Sequence, residues 1–179
     1  MPRLPYRIVD SRLIYQGFCF RLVKDRFILD AVPGKTVTRE LVQHPGAVAI
    51  VPFADKKSII LLRQFRYSAK GDLWEIPAGT MEKGEKTLTC ARRELEEETG
   101  YKASRWKRLT GFLPAPGISD EILTVYRAEG LKPGRKNLDH DEFIEHETVS
   151  MTKALAMIKN GKIRDAKSIV GILWSAYFL

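Results

Sequence analysis

Residues 91 to 100, "ARRELEEETG", set four glutamates within five positions: Glu94, Glu96, Glu97 and Glu98. On an α-helix Glu94 and Glu98 lie one turn apart on one face, with Glu97 beside them at the i+3 position. Glu96 falls about 200° round from Glu94 and reads as a solvated side chain. Like charges at this spacing destabilise a helix by roughly 0.2–0.5 kcal/mol per pair. Two arrangements would relieve the repulsion. A divalent cation held among the three carboxylates would lower their pKa values together, and hard oxygen donors suit Mg²⁺ or Mn²⁺. Alternatively, the helix lies at the surface and is stitched by i, i+4 pairs such as Arg93 with Glu97. Taken alone, the glutamate run favours the surface helix; its flanks alter that.

Gly79, Glu85, Arg93, Glu94, Leu95, Glu97, Glu98, Gly100 and Tyr101 reproduce the pattern G-x5-E-x7-R-E-U-x-E-E-x-G-U, with U apolar or aromatic, over 23 residues. That pattern is the Nudix box, and the chain resembles a Nudix hydrolase. "HPGAVAIVP", "LLRQFR", "LWEIPAGT", "PAPGISDE" and "GKIRDAKSI" look like the ADP-ribose pyrophosphatase branch of that family. Pro116, sixteen residues beyond Gly100, matches a proline of the same branch. The resemblance runs from about Tyr15 to the C-terminus.

The resemblance implies Mg²⁺-dependent hydrolysis of ADP-ribose to AMP and ribose 5-phosphate, with Mn²⁺ as a possible substitute. Such a reaction needs charge neutralisation on two phosphates, an aligned water and a base. Glu94 and Glu98 carry over as metal ligands with the Ala78 carbonyl. Glu97, close by, counts both as a ligand and among the catalytic residues. Glu85 and Arg93 are expected to pair and hold the loop on the helix, while Gly79 and Gly84 let that loop turn and Gly100 caps the helix. The base is expected on a late acidic loop, "NLDHDEFIEHE", with Glu142 first, Glu145 second, and His140 and Asp141 behind them. Arg66 matches a pyrophosphate clamp, since a guanidinium binds phosphate oxygens bidentately. Arg39 and Glu40 match a position where the N-terminal sheet of one subunit reaches its partner's nucleotide. Thr80, Gly117 and Glu121 complete the implied substrate contacts. Cys19 falls near the place where some relatives have Trp, which leaves the base preference open. Another nucleotide sugar or a dinucleotide cofactor is the alternative substrate, and a non-catalytic nucleotide-sugar sensor the alternative class.

These residues need elements to position them. Hydrophobic residues make up 44% and charged ones 29% of 179 residues, the balance of one globular domain with a smaller appendage. Lys and Arg exceed Asp and Glu, 30 against 22, but the basic residues are scattered, so a polyanionic small molecule fits better than nucleic acid. Cys19 and Cys90 match no metal spacing and read as buried free thiols in a reducing compartment. The N-terminus lacks the apolar core of a secretory signal, and "IVGILWSAYFL" is too short to span a bilayer. A cytoplasmic protein with no membrane partner is expected.

Residues 1–43 read as a small antiparallel sheet in which "FCFRL" is a strand. Such a sheet cannot bury its apolar faces alone, which points to a homodimer. Residues 44–179 read as the Nudix domain, an α/β/α sandwich with a mixed sheet. "HPGAVAIVPF" and "KSIILLRQFR" are strands covered on both faces. A helix runs from about Lys86 to Thr99, "FIEHETVS" is an edge strand, and Ser150 and Asp165 cap the last two helices. Ile169, Val170, Leu173, Trp174 and Tyr177 form the apolar stripe expected to bury the last of these.

Overall fold

The computed structural model describes residues 5–137 and 144–178. The chain divides into two compact units, residues 1–45 with 113–122, and residues 46–112 with 123–179. In the first, β1 (Tyr6–Gln16), β2 (Arg21–Leu29) and β3 (Thr36–Gln43) form an antiparallel sheet in that order. The alternation in "FCFRL" misled. Gly17 N–H donates to the Phe20 carbonyl at 2.9 Å, so Phe18 and Cys19 lie in a turn and the strand begins at Arg21. Cys19 is therefore exposed, which corrects the reading of a buried thiol. Residues 113–122 join this unit through Val42, whose N–H donates to the Ile118 carbonyl and whose carbonyl accepts from Asp120 N–H.

The second unit is built on β4 (Ala47–Pro52), all six residues of which are buried. It pairs in parallel with β9 (Leu123–Pro133) and antiparallel with β7 (Ala78–Thr80), while β8 (Tyr101–Phe112) closes the sheet antiparallel to β9. A second antiparallel sheet orders β10 (Ile144–Ser150), β5 (Ser58–Arg66) and β6 (Gly71–Glu75), with β10 at an edge as its alternation predicted. The near-continuous hydrophobicity of β4 follows from cover on both faces. Val48 and Ile50 pack with Cys90, Ala91 and Leu95 of α1 (Thr87–Thr99). Ala47, Ala49 and Val51 pack with Ile59, Leu61 and Ile172. Ile172 belongs to α3 (Ala166–Tyr177), so the mixed sheet lies between helices in an α/β/α sandwich.

Local signals set the helix ends. Gly100 takes φ 73°, in the left-handed region open to glycine, and its N–H closes α1 on the Glu96 carbonyl. The Ser150 side chain accepts from Lys153 N–H at the start of α2 (Met151–Lys159), and Asp165 accepts from Ser168 N–H at the start of α3. The expected apolar stripe of α3 is not the buried face. Ser168, Gly171, Ile172 and Ser175 are buried, while Tyr177 is exposed. Ile172 is the large residue of that face, and the small residues around it let the helix axis approach the sheet. A Cβ at Gly171 would lie 2.9 Å from Ile76, 3.0 Å from Val51 and 3.3 Å from Val125. Among the described residues no helix is long and apolar enough to cross a membrane.

Replacing Gly171 with Val is expected to destabilise the protein by about 1–3 kcal/mol, the usual cost of overpacking a filled core. Urea unfolding followed by circular dichroism reads the shift; an unchanged midpoint would mean that α3 does not rest on this contact.

Candidate functional site

The second unit brings the glutamate helix against the loop that precedes it. Arg93 is the centre of that contact. Its Nε and Nη2 donate to Glu85 at 3.1 and 3.0 Å, and its Nη1 donates to Glu94 at 2.6 Å and Glu97 at 3.1 Å. Nη2 also reaches the Thr80 carbonyl at 3.3 Å, so Thr80 faces inward through its backbone while the residue is exposed. The i, i+4 pair with Glu97 forms, and the same guanidinium spans to Glu85 and Glu94. Hydrogen bonding to Arg93 holds the Glu85 carboxyl below its usual range, and the Arg93 guanidinium is in turn stabilised in its charged form.

Glu98 turns to the other side. It is 3% exposed, and its Oε2 accepts from the Ala78 N–H at 3.0 Å. Glu94 lies over Gly79, so closely that a Cβ there would fall inside its carboxylate. Gly79 is thus needed for space, whereas Gly84, at φ +79°, supplies the turn. Among the described residues no three His, Cys, Asp or Glu side chains converge into an ion-binding group. The converged trio expected from helical spacing is replaced, as the side chains stand, by Arg93 between Glu94 and Glu97 and by Glu98 on Ala78. The donor chemistry still fits a divalent cation. Three carboxylates and the Ala78 carbonyl are hard oxygens, and the missing side chain at Gly79 makes the hollow that the Glu94 carboxylate enters.

Glu96 points away from the other three, as expected, but is not merely solvated. Its Oε1 accepts from the Arg135 N–H at 3.2 Å and lies 3.1 Å from Lys102 Nζ. The Arg135 N–H, with Lys102 adding to it, holds the Glu96 carboxyl below its usual range. Asn137 N–H donates to the Glu97 carbonyl, and Gly134 N–H to that of Gly100. The segment after β9 is thereby fastened along α1, and an open recess of about 450 Å³ lies between Arg93, Glu96, Glu97, Arg135 and Asn137. Glu142, His140 and Asp141 lie outside the described residues. Glu145 is exposed on β10, opposite Arg63.

Arg66 meets a partner the sequence did not suggest. Its Nε and Nη2 donate to both oxygens of Glu75 at 2.9 and 2.7 Å. Glu75 is 2% exposed and also takes Lys167 Nζ at 2.6 Å. Burial opposes the charged form of Glu75, but Arg66 and Lys167 outweigh it and hold the carboxyl below its usual range. The Glu75 hydrogen bonds keep Arg66 charged against its own burial, with Glu98 and Asp165 adding to the field. Lys167 and Asp165 lie in "GKIRDAKSI", a stretch in which the sequence marked Asp165 as a helix cap and gave Lys167 no role.

The remaining candidates belong to the first unit. Arg39 and Glu40 are exposed on β3, with Arg39 donating to the Thr38 carbonyl and Glu40 3.7 Å from Lys24. Glu121 faces His44 at 3.8 Å, and the space around Gly117 is open. Cys90, in the second unit, is fully buried and its Sγ lies 3.7 Å from the Thr80 carbonyl. Burial, reinforced by Glu94, pushes its thiol up to about 12.

A family model for the NUDIX domain matches residues 43–170. An ADP-ribose pyrophosphatase of Bacillus subtilis (strain 168) is 43% identical over 176 residues, covering 96% of this chain and 93% of that protein. A methanol dehydrogenase activator of Bacillus methanolicus is 36% identical over 168 residues, covering 93% of this chain and 90% of that protein. The crystal structure of an ADP compounds hydrolase superposes with a TM-score of 0.84 at 18% identity, covering 98% of this chain and 95% of that one. At that identity the match shows the fold alone.

The two thiols are expected to separate by reactivity. Near pH 8 iodoacetamide should add to exposed Cys19 in the native protein and to Cys90 only after denaturation, because the thiolate is the reactive form. Intact-mass spectrometry counts the adducts; prompt double labelling of folded protein would contradict the burial of Cys90.

Proposed function

The chain belongs to the Nudix family, and we propose that it hydrolyses the pyrophosphate bond of ADP-ribose, giving AMP and ribose 5-phosphate. One observation carries the reading. Arg66, Glu94 and Glu98 all abut the short segment 75–79, through Glu75, Gly79 and Ala78 respectively. A cationic fork and two carboxylates on one strand–loop junction suit a diphosphate and the charge that must neutralise it. The similarity to an ADP-ribose pyrophosphatase over nearly the whole chain supports the substrate.

When bound, a divalent cation, Mg²⁺ in this reading, supplies charge neutralisation and a more acidic water. Ala78, Glu94, Glu97 and Glu98 would hold it. Arg66 would bind diphosphate oxygens through donors not spent on Glu75. Glu142 would accept the proton of the attacking water, with Glu145 as the second candidate; Glu97 on α1 is the other residue assigned a catalytic part. Thr80 would contact the substrate, and Gly117 and Glu121, of the first unit, are the other candidates for substrate contact.

A panel of nucleotide sugars and dinucleotides with Mg²⁺, followed by product chromatography, tests the assignment. AMP and ribose 5-phosphate from ADP-ribose, formed fastest, are expected; faster turnover of another substrate would move the specificity and leave the chemistry. In the same assay Glu98→Gln is expected to lower kcat at least 100-fold, on the order of 3 kcal/mol. Glu142→Gln is expected to depress kcat with little change in substrate affinity. An active Glu142→Gln beside a crippled Glu145→Gln would transfer the base to Glu145.

The working unit in this reading is a homodimer in which Arg39 and Glu40 reach the partner's site. All eleven residues of β1 are exposed, and Leu13 and Tyr15 are 52% and 56% accessible. Apolar exposure on that scale favours association, and a two-fold arrangement would cover both copies at once. Mixing Arg39→Ala with Glu98→Gln subunits should partly restore activity, since one site of a mixed dimer would carry both lesions and the other neither. A fully active monomer by light scattering at assay concentration would overturn the dimer.

A further inference from the structure

The bonds around Glu75 form a closed ring. Ile76 N–H donates to Ser168 Oγ at 2.8 Å, and Ser168 Oγ–H donates to Asp165 Oδ2 at 2.5 Å. The other Asp165 oxygen, Oδ1, lies 3.0 Å from Lys167 Nζ, and Lys167 Nζ returns to Glu75 Oε2 at 2.6 Å. Three side chains at the N-terminus of α3 therefore grip the last residue of β6 and the one after it, just before Ala78. Arg66 is attached to the ring from outside, through both Glu75 oxygens.

We propose that Lys167 is a positioning residue for Arg66. The proposal rests on the reading of Arg66 as a diphosphate-binding residue. A guanidinium bound edge-on to a carboxylate has its plane fixed by that carboxylate. Glu75 alone could turn about its own torsions and carry the fork with it. Lys167 prevents this by bonding the oxygen that Arg66 Nη2 also uses, and Asp165 prevents Lys167 from following. The guanidinium is thereby held in one orientation near Glu98, whose charge it senses. The outcome is a binding group whose direction is set before substrate arrives, so less ordering is needed on binding.

A ring that served stability alone would give a different result in a double-mutant cycle. With the turned-over nucleotide sugar, Lys167→Met is expected to raise KM at least 10-fold with a smaller change in kcat. In an Arg66→Ala background the same substitution should change KM by less than about twofold, because the group it positions is gone. Effects that multiply in the double variant, or a lowered melting temperature with unchanged KM, would overturn the proposal. Should Lys167→Met fail to fold, Lys167→Gln reads the same cycle. If the wild-type protein turns over no nucleotide sugar, the functional reading fails separately, and the cycle is read instead as calorimetric affinity for inorganic diphosphate. There too, an equal loss with and without Arg66 would overturn the positioning role.

Discussion

Much of the second unit depends on how one guanidinium is shared. Arg93 lies among Glu85, Glu94 and Glu97 and also reaches the Thr80 carbonyl. A helix face with clustered like charge is unfavourable by itself, and the six-residue loop 81–86 between β7 and α1 is entropically costly to order. The same side chain offsets both. By pairing with Glu94 and Glu97 it offsets the repulsion on that helix face, and by binding Glu85 it pins the loop to the same face. A lysine could not substitute, since a single point charge lacks the fork that serves several acceptors.

The segment 75–79 is held from every side by groups of different origin. The ring from α3 fixes Glu75 and Ile76, Ile50 N–H donates to the Pro77 carbonyl, and the Ala78 N–H bonds Glu98. Gly79 leaves room for Glu94. Buried charges need such complete pairing, because an unpaired carboxylate at the burial of Glu75 or Glu98 would be strongly destabilising. In the proposed function the same constraint would set the orientation of the groups that bind phosphate and metal before either arrives.

Burial of thiols illustrates a similar division by environment. Cys90 lies on the α1 face that packs on Val48 and Ile50, where desolvation keeps it protonated. Cys19 stands in the turn between β1 and β2 and has no such cover. Two residues of one type, both in partly apolar sequence, thus have different chemistry because only one is inside a core.

By itself the sequence determined what depends on local pattern. The register of Gly79, Glu85, Arg93, Glu94, Glu97 and Glu98 identified the family, Gly100 and Ser150 marked helix ends, and unbroken apolar runs marked strands covered on both faces. These signals act within a few residues, through helical spacing, capping geometry and the period of the pleat. Tertiary structure decided everything that joins distant residues. Glu75 and Lys167 stand 92 positions apart, and nothing in either flank discloses that they share a hydrogen bond with Arg66 attached. The buried face of α3 was decided the same way: periodicity favoured the large residues Leu173 and Trp174, but Ile172 is the fully buried large residue, and beside it Gly171 makes the close approach to Val51, Ile76 and Val125. Periodicity reports which residues could be buried together, whereas the space left by residues far along the chain determines which of them are.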